Sequence, residues 1–278
     1  MKNKLVSIII PCYNADKYIN ETLDCLLKQT IEDWECIIVN DGSTDNSVSI
    51  ISKYLLKDTR FKLINQNNSG PSIARNRGVE LCVSKYIYFL DSDDIIESSY
   101  LEEALEYMES HPETILYYTN MDYFGAKNGI VNNNYTTYKD LLIKNSIPCC
   151  CILKRDDFLQ FGGFDTSLKG LEDWEFFIRL LYHNDNIYKS EKILYHYRKY
   201  PETDISVNNE AFTKLKSLNS YIYEKHKSKY EEYWGTPYEV HAQCYRLSNK
   251  IHTIESSKGF KIYKLITSFI QKLKAFHI

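Results

Sequence analysis

The sequence predicts an α/β protein in which helices flank a Rossmann-like, mostly parallel sheet, followed by a C-terminal helical extension. Over residues 5–97, short apolar runs alternate with amphipathic segments, a pattern typical of right-handed β-α-β units. The apolar runs end in polar or glycine-containing turns, as buried strands of a parallel sheet do. From about residue 204 onward the chain is charged and has helical periodicity.

The elements of the first part follow one another regularly. Strands are predicted over residues 5–10, 34–39, 61–65 and 86–90. Helices are predicted over 17–28 and from Pro71 onward. A further helix is predicted between the turn that follows the second strand and residue 56. Gly70 allows a turn before that last helix, and proline suits a first helical position.

Later elements are spaced less regularly. We expect helices ending near residue 109 and covering 171–182, and strands over 115–124, 148–153 and 187–197, with a hairpin over 125–134. Gly162 and Gly163 predict a tight turn because glycine tolerates positive φ. The pattern predicts one domain over residues 1–203, with halves at about 1–97 and 98–203, and an extension over 204–278.

Composition limits the functional classes. The 278 residues are 44% apolar and 26% charged, which is ordinary for a soluble globular protein, and the net charge of -3 gives no case for a nucleic-acid partner. The 8 cysteines form no C-x-x-C pair, and the run at 149–151 falls in a predicted strand, where core packing explains it. Without a signal peptide or membrane span, the sequence predicts a cytoplasmic protein.

An acidic turn follows the fourth predicted strand. Asp91, Asp93 and Asp94 come directly after the buried run, and crowded carboxylates repel one another unless a positive group lies among them. A hard divalent cation, which prefers oxygen ligands, is the usual solution. A solvated loop with a helix N-cap is the alternative interpretation of an isolated D-x-D pattern.

Three polar turns are expected to meet. Asn14, Asp41 and Asp91 each follow a predicted strand of the same parallel sheet. Their turns must therefore lie at one edge of the sheet, where ligands of open α/β sheets bind. A nucleotide could bridge these turns beside the metal.

Four motifs in this order together resemble the family 2 glycosyltransferases, which have the GT-A fold. They are Pro11-Cys12-Tyr13-Asn14, Asn40-Asp41-Gly42-Ser43-Thr44-Asp45, Asp91-Ser92-Asp93-Asp94 and Glu172-Asp173-Trp174. The resemblance covers roughly residues 5–200. It implies transfer of a sugar from a nucleotide donor, usually a UDP-sugar, with inversion at the anomeric carbon.

The resemblance also implies roles for individual residues. Asp41 is expected to accept a hydrogen bond from the uracil ring, and Asp91 to face the ribose. The full set implied to bind the donor nucleotide is Pro11, Cys12, Tyr13, Asn14, Asp41, Gly70, Arg75, Asp91, Ser92 and Arg198.

For the metal, the resemblance implies Asp93, with Asp91 and, by a looser match, His196, holding Mn²⁺ or Mg²⁺ on the diphosphate. Asp173 matches the general base, with Glu172 beside it. A helical projection of 171–182 places Asp173 inside the apolar arc and Glu172 outside it. We therefore expect Asp173 to be the base and Glu172 to be solvated.

Other classes fit less well. A calcium-binding EF-hand starting at Asp91 would place Ile95 and Ile96 where an oxygen ligand and a glycine are needed. A sugar nucleotidyltransferase would need a Gly- and Arg-rich loop after the first strand, and a glycoside hydrolase has no need of the turn at Asp41. A non-catalytic relative that binds a nucleotide or polysaccharide as a scaffold stays open as an alternative.

The expected acceptor is a hydroxyl of a glycan or of a lipid-linked saccharide, in cell-surface polysaccharide biosynthesis. The C-terminal residues 256–278 form a basic amphipathic pattern, which predicts either peripheral binding at the inner face of the membrane or packing. In the packing alternative, the apolar side covers the catalytic domain or a second subunit of a homo-oligomer.

Overall fold

The computed structural model describes residues 5–131, 134–200, 209–257, 259 and 263. The chain divides into two compact units, Met1–Ile222 and Tyr223–Ile278. The division predicted at residue 203, and the halves within residues 1–203, stay predictions.

The strands and helices of the described residues are numbered in chain order. The strands are β1 (Val6–Cys12), β2 (Trp34–Asp41), β3 (Phe61–Gln66), β4 (Tyr86–Phe89), β5 (Ile95–Ile96), β6 (Leu116–Gly125), β7 (Gly129–Val131), β8 (Ile152–Lys154) and β9 (Ile187–Lys199). The helices are α1 (Ile19–Leu27), α2 (Ser47–Lys57), α3 (Pro71–Leu81), α4 (Tyr100–Ser110), α5 (Tyr138–Leu141), α6 (Arg155–Gln160), α7 (Glu172–Leu180), α8 (Asn209–Lys225), α9 (Lys227–Trp234) and α10 (Pro237–Ser256).

The sheet of the first unit has the order β3-β2-β1-β4-β8-β6-β9-β5, with β7 paired to β6. Its first half is parallel, as predicted: Ile9 of β1 lies opposite Ile37 of β2 and Phe89 of β4. These residues are almost fully buried, because helices cover both faces of a parallel sheet. The mixed α/β class and the C-terminal helices are confirmed.

The second half of the sheet is mixed. Strand β8 runs antiparallel to both β4 and β6, whereas β9 runs parallel to β6. The two-residue strand β5, which the sequence did not predict, pairs antiparallel with β9 so that Ile95 lies opposite His196. This pairing brings the end of β9 beside the acidic turn that precedes β5.

Helix α3 packs unusually close to β1. A Cβ on Gly78 would lie 2.4 Å from Cγ2 of Ile9, so only glycine allows this separation. The helix begins at Pro71, as predicted, after Gly70 with φ of 94°. Close packing buries Arg75, one turn before Gly78, against the sheet.

The strand predicted over 148–153 is mostly wrong. Only Ile152–Lys154 is a strand, because Cys151 donates its N–H to the carbonyl of Cys149 at 2.9 Å and the backbone turns there. Cys149 is half-buried in this irregular segment, and all eight cysteines are free thiols.

The second unit is helical over its described residues, which include α9 and α10. Among the described helices, none combines the length and apolar character needed to cross a bilayer. The predicted amphipathic segment at 256–278 lies largely outside the described residues.

Candidate active site

A cleft of about 410 Å³ opens at the carboxyl ends of β1, β2 and β4, where the three polar turns were expected to meet. Its lining comprises Pro11, Cys12, Tyr13, Asp41, Asn68, Gly70, Pro71, Arg75, Asp91, Ser92 and Asp93. Most of the residues expected to bind a donor nucleotide are therefore brought together. Asn14 and Arg198 lie outside this lining.

Asp41 is buried and organises one wall of the cleft. Its carboxylate accepts hydrogen bonds from the backbone N–H groups of Ser69 and Gly70, both at 2.8 Å, and from Gln66 at 2.7 Å. Backbone donors aimed at one carboxylate fix the loop before α3. The loop and the β2 turn therefore form a preorganised surface.

Asn14 ties the β1 turn to the β2 turn. It has φ of 49°, a conformation that asparagine tolerates better than most residues. Its side-chain oxygen accepts a hydrogen bond from the N–H of Thr44 at 2.8 Å, and its own N–H donates to Ser43 at 3.0 Å. Asn14 lines a neighbouring recess of about 340 Å³ that also includes Ser92, Asp93 and Tyr200.

Arg75 connects two acidic motifs. Its Nη2 donates to Asp91 at 2.6 Å and its Nη1 donates to Glu172 at 2.8 Å. The Arg75 side chain is 8% exposed and that of Glu172 is 11% exposed. A planar guanidinium suits such a bridge because its donors are held in a fixed fork.

The acidic turn contains one outward and one inward carboxylate. Asp93 lines the cleft, and the hydroxyl of Tyr200 donates to its Oδ2. Asp94 is fully buried and accepts hydrogen bonds from the hydroxyl of Tyr195 and the N–H of Arg198. Burial, with the nearby charge of Asp91, raises the pKa of Asp94 to about 8.

Two sets of side chains at or beside this turn are candidates for binding a divalent cation. Ligand atoms of Asp91, Asp94 and Cys150 lie within 4.8 Å of one another. However, protein donors already hold both Asp94 oxygens, and burial raises the pKa of the Cys150 thiol, which favours its protonated form. A cation there would have to enter a fully buried position at Asp94 and displace the proton of the thiol.

Asp91 and Asp93 fit a hard cation better. Among the described residues, Arg75 binds one oxygen of Asp91 and Tyr200 binds one oxygen of Asp93. The second oxygen of each carboxylate remains for a metal. Both residues line the cleft, and carboxylate oxygens suit Mg²⁺ and Mn²⁺.

A second cleft of about 290 Å³ adjoins the first, and Arg75 and Asp91 line both. The other residues of the second cleft are Met121, Asn145, Ile147, Pro148, Cys149, Cys150, Glu172, Asp173, Tyr195 and Tyr197. The pair Glu172–Asp173 thus lies next to the expected nucleotide site.

The prediction that Glu172 is solvated is wrong. Glu172 is buried against Arg75, and Glu175 is fully buried with Arg179, whose guanidinium lies 2.7 Å away. A helical projection counts apolar residues only, so it assigns paired buried charges to the solvent side. Helix α7 begins at Glu172, one residue later than expected, because Leu171 adopts the left-handed region with φ of 61°.

Asp173 faces the second cleft with both oxygens bonded. Nδ2 of Asn145 donates to Oδ2 at 3.1 Å, and the N–H of Trp174 donates to Oδ1 at 2.8 Å. Burial and then the charge of Glu172 raise the pKa of Asp173. Trp174 is buried and donates its indole N–H to the carbonyl of Leu141 at 2.6 Å, so it anchors the helix.

His196 and Arg198 lie on β9 outside both clefts. The ring nitrogens of His196 contact Asp122 at 2.6 Å and Glu97 at 3.0 Å. A metal at His196 would have to displace one of these carboxylates. Arg198 donates to the carbonyl of Asp93 at 2.7 Å, so it supports the acidic turn from behind.

Sequence reasoning missed Asn145 and Tyr200. Neither belongs to a recognisable motif, and each reaches the site only through tertiary structure: Tyr200 follows β9, and Asn145 lies in the irregular segment after α5. The pairing of β5 with β9 could not be anticipated from two residues of strand.

The model of the family described as Glycosyl transferase family 2 matches residues 7–158. This match covers more than half of the chain. The protein belongs to glycosyl transferase family 2.

Relatives and solved structures agree with this membership. An uncharacterized glycosyltransferase of Haemophilus influenzae is 35% identical over 185 residues, which are 65% of this chain and 73% of that protein. Staphylococcus aureus TarS 1–349 in complex with UDP-GlcNAc has a TM-score of 0.65 at 24% identity, covering 78% of this chain and 66% of that one.

The mannosyltransferase PcManGT from Pyrobaculum calidifontis, solved with GDP-Man and Mn²⁺, has a TM-score of 0.58 at 13% identity, covering 97% of this chain and 85% of that one. These likenesses show the GT-A-like fold. For two glycosyltransferases of Bacillus subtilis the match is shorter: 107 and 105 residues, each 38% of this chain, align with 31% and 30% of those proteins.

Proposed function

We propose that this family 2 glycosyltransferase moves a sugar from a UDP-sugar, with inversion, to a hydroxyl of a glycan or lipid-linked acceptor. The observation that carries the proposal is the pair of adjoining clefts. One presents the β1, β2 and β4 turns, the other presents Asp173, and Arg75 and Asp91 line both. A nucleotide in the first cleft would direct its sugar toward the second.

A divalent cation supports this function. Asp93 and Asp91 would hold Mn²⁺ or Mg²⁺, which neutralises the charge of a diphosphate and makes it a better leaving group. The side chains that position these two carboxylates are Tyr200 for Asp93 and Arg75 for Asp91. His196 would join the metal only after leaving Asp122 or Glu97.

Asp173 would act as the general base. Its carboxylate accepts the proton of the acceptor hydroxyl while that oxygen forms a bond to the anomeric carbon. The bond from the anomeric carbon to the diphosphate oxygen breaks on the opposite face, and the electron pair leaves with the UDP. Both Asp173 oxygens keep a lone pair beyond their bonds to Asn145 and Trp174.

The structural neighbours were solved with different nucleotide sugars. TarS binds UDP-GlcNAc, whereas PcManGT binds GDP-Man; family resemblance favours a uridine nucleotide. We propose a role in cell-surface polysaccharide biosynthesis on the cytoplasmic side of the membrane. Residues 256–278 would either bind the membrane surface peripherally or pack against protein, for example in a homo-oligomer.

A donor screen tests the function. The full chain is incubated with UDP-GlcNAc, UDP-GalNAc, UDP-Glc, UDP-Gal, UDP-GlcA and GDP-Man, each with and without Mn²⁺. Melting temperature and nucleotide release are both measured, since a ligand that binds only the folded state raises the melting temperature. Metal-dependent stabilisation and UDP release are expected for one UDP-sugar. UDP binding with no turnover on any acceptor would favour a scaffold instead.

A further inference from the structure

Among the described residues, Asn145 donates a side-chain hydrogen bond to Asp173 from another segment of the chain. It lies between α5 and β8, 28 residues before Asp173, and its Nδ2 donates to Oδ2 of Asp173 at 3.1 Å. The N–H of Trp174 holds the other oxygen at 2.8 Å. Two donors, one on each oxygen, fix the plane of the carboxylate.

The other half of the Asn145 amide is unpaired. Its Oδ1 is buried and accepts no hydrogen bond from the described residues. A buried acceptor without a partner destabilises the folded state. Leucine has a similar shape but would leave Oδ2 of Asp173 without its donor, so the contact with Asp173 is what an asparagine supplies here.

We propose that Asn145 is a positioning residue for the general base: it orients the Asp173 carboxylate in the second cleft and favours its ionised form. This inference rests on the proposed role of Asp173. An amide N–H can only donate, so its bond to Oδ2 is retained when the carboxyl is charged and weakened when that oxygen carries a proton.

Other ionisable groups near Asp173 also influence whether its carboxyl is ionised. Glu172 on α7 disfavours the ionised carboxylate, and Arg75 on α3 favours it. The thiols of Cys149 and Cys151 also face Asp173, and burial raises the pKa of each thiol. Because Arg75 is already paired with Asp91 and Glu172, the neutral donor of Asn145 gives Asp173 a partner of its own.

The test compares Asn145→Leu and Asn145→Asp with the unmodified chain, and uses Asn186→Leu, at an exposed asparagine, as the matched control. Turnover is followed as UDP release from the preferred UDP-sugar with Mn²⁺, with water as acceptor where no glycan is used. Asn145→Leu should lower kcat about tenfold, part of the 10²–10⁴-fold contribution of a general base. The KM for the UDP-sugar should not change.

The pH profile separates positioning from a structural role. The acidic limb of kcat should move to higher pH in Asn145→Leu, and further in Asn145→Asp, where a second negative charge opposes ionisation of Asp173. Asn145→Leu leaves Oδ2 of Asp173 without its donor, so its melting temperature should fall, whereas its affinity for UDP should match that of the unmodified chain.

A direct titration makes the result independent of turnover. ¹³C NMR of labelled aspartate carboxyls, with Asp173→Asn to assign the signal, should show a higher pKa for Asp173 in Asn145→Leu. An unchanged pKa with an unchanged kcat overturns the inference, as does a loss of activity matched by equal losses of melting temperature and UDP affinity. If Asp173→Asn itself stays fully active, the proposed base is wrong, which is a different failure.

Discussion

Arg75 lies 2.8 Å from Glu172, a residue 97 positions later in the chain, and joins α3 to the first residue of α7. The same guanidinium binds Asp91 at 2.6 Å. The acidic turn after β4 and the helix that carries Asp173 are therefore held by one cation. The distance between the nucleotide cleft and the base depends on this side chain.

Replacing Arg75 with methionine should destabilise the fold strongly. The substitution leaves two carboxylates facing each other without their cation, and breaking a buried pair typically costs about 3–5 kcal/mol. Urea unfolding of Arg75→Met measures the loss. Lys85→Met removes an exposed ion pair with Glu109 and should cost about 1 kcal/mol or less; equal losses in the two variants would show that the Arg75 bridge contributes little.

Asp173→Asn and Glu172→Gln should fail in different ways. Asp173→Asn keeps the shape and should keep UDP affinity, but kcat should fall by about 10²–10⁴-fold because the base is lost. Glu172→Gln weakens the bridge to Arg75, so its main effect should be a lower melting temperature. Both variants are compared at saturating donor. An inactive Glu172→Gln of normal stability beside an active Asp173→Asn would reverse the assignment.

The pH dependence of turnover should report the environment of Asp173. Burial and the charge of Glu172 raise the pKa of Asp173 above the ordinary value of an aspartate. The base works when ionised, so kcat should fall as the pH drops through this raised pKa. The acidic limb should therefore lie at higher pH than for an exposed aspartate, and a limb at or below the ordinary aspartate value would contradict the effect of burial.

Asp93→Ala should abolish metal-dependent binding of UDP. It removes an anionic ligand that lines the nucleotide cleft, while the buried Asp94 and its partners stay intact. Isothermal titration calorimetry of UDP into the unmodified chain and into Asp93→Ala, each with Mn²⁺ and with excess chelator, measures the metal-dependent part of the UDP affinity. Full activity of Asp93→Ala, or of the unmodified chain in chelator, would rule out the metal role.

The basic amphipathic segment at 256–278 should give weak binding to anionic lipid. Lysine side chains beside an apolar stripe favour the interface of a negatively charged membrane. Flotation with phosphatidylglycerol vesicles compares the full chain with a chain ending at Glu255. If both float equally, or neither floats, the segment does not bind membrane, and its apolar side is expected to pack against protein.

The strands β1 to β4 and the edge where their turns meet could be predicted because local patterns determine them. Buried parallel strands are continuous apolar runs. The polar residues Asn14, Asp41 and Asp91 follow such runs and mark the turns where the strands end. Gly162 and Gly163 have positive φ, as expected. These features depend on residues close together in the chain.

The second half of the sheet and the burial of the α7 carboxylates could not be predicted from the sequence, for physical reasons. Strand β5 has two residues, which is too few for a periodic signal, and β8 is cut short by the turn at Cys149. The burial of Glu172 and Glu175 depends on arginine partners, one of them far away in sequence. Such compensation of charge is a property of the folded chain, so a pattern of apolar residues does not reveal it.

The distribution of thiols offers a practical handle for spectroscopy. Cys244 on α10 is exposed, six other cysteines are buried, and Cys149 is half-buried within the second cleft. Burial also raises the pKa of the Cys149 thiol, which leaves it a poor nucleophile at neutral pH. A maleimide dye should thus attach selectively to Cys244. A change in its fluorescence on addition of a nucleotide sugar would show that binding in the first unit alters the environment of α10 in the second.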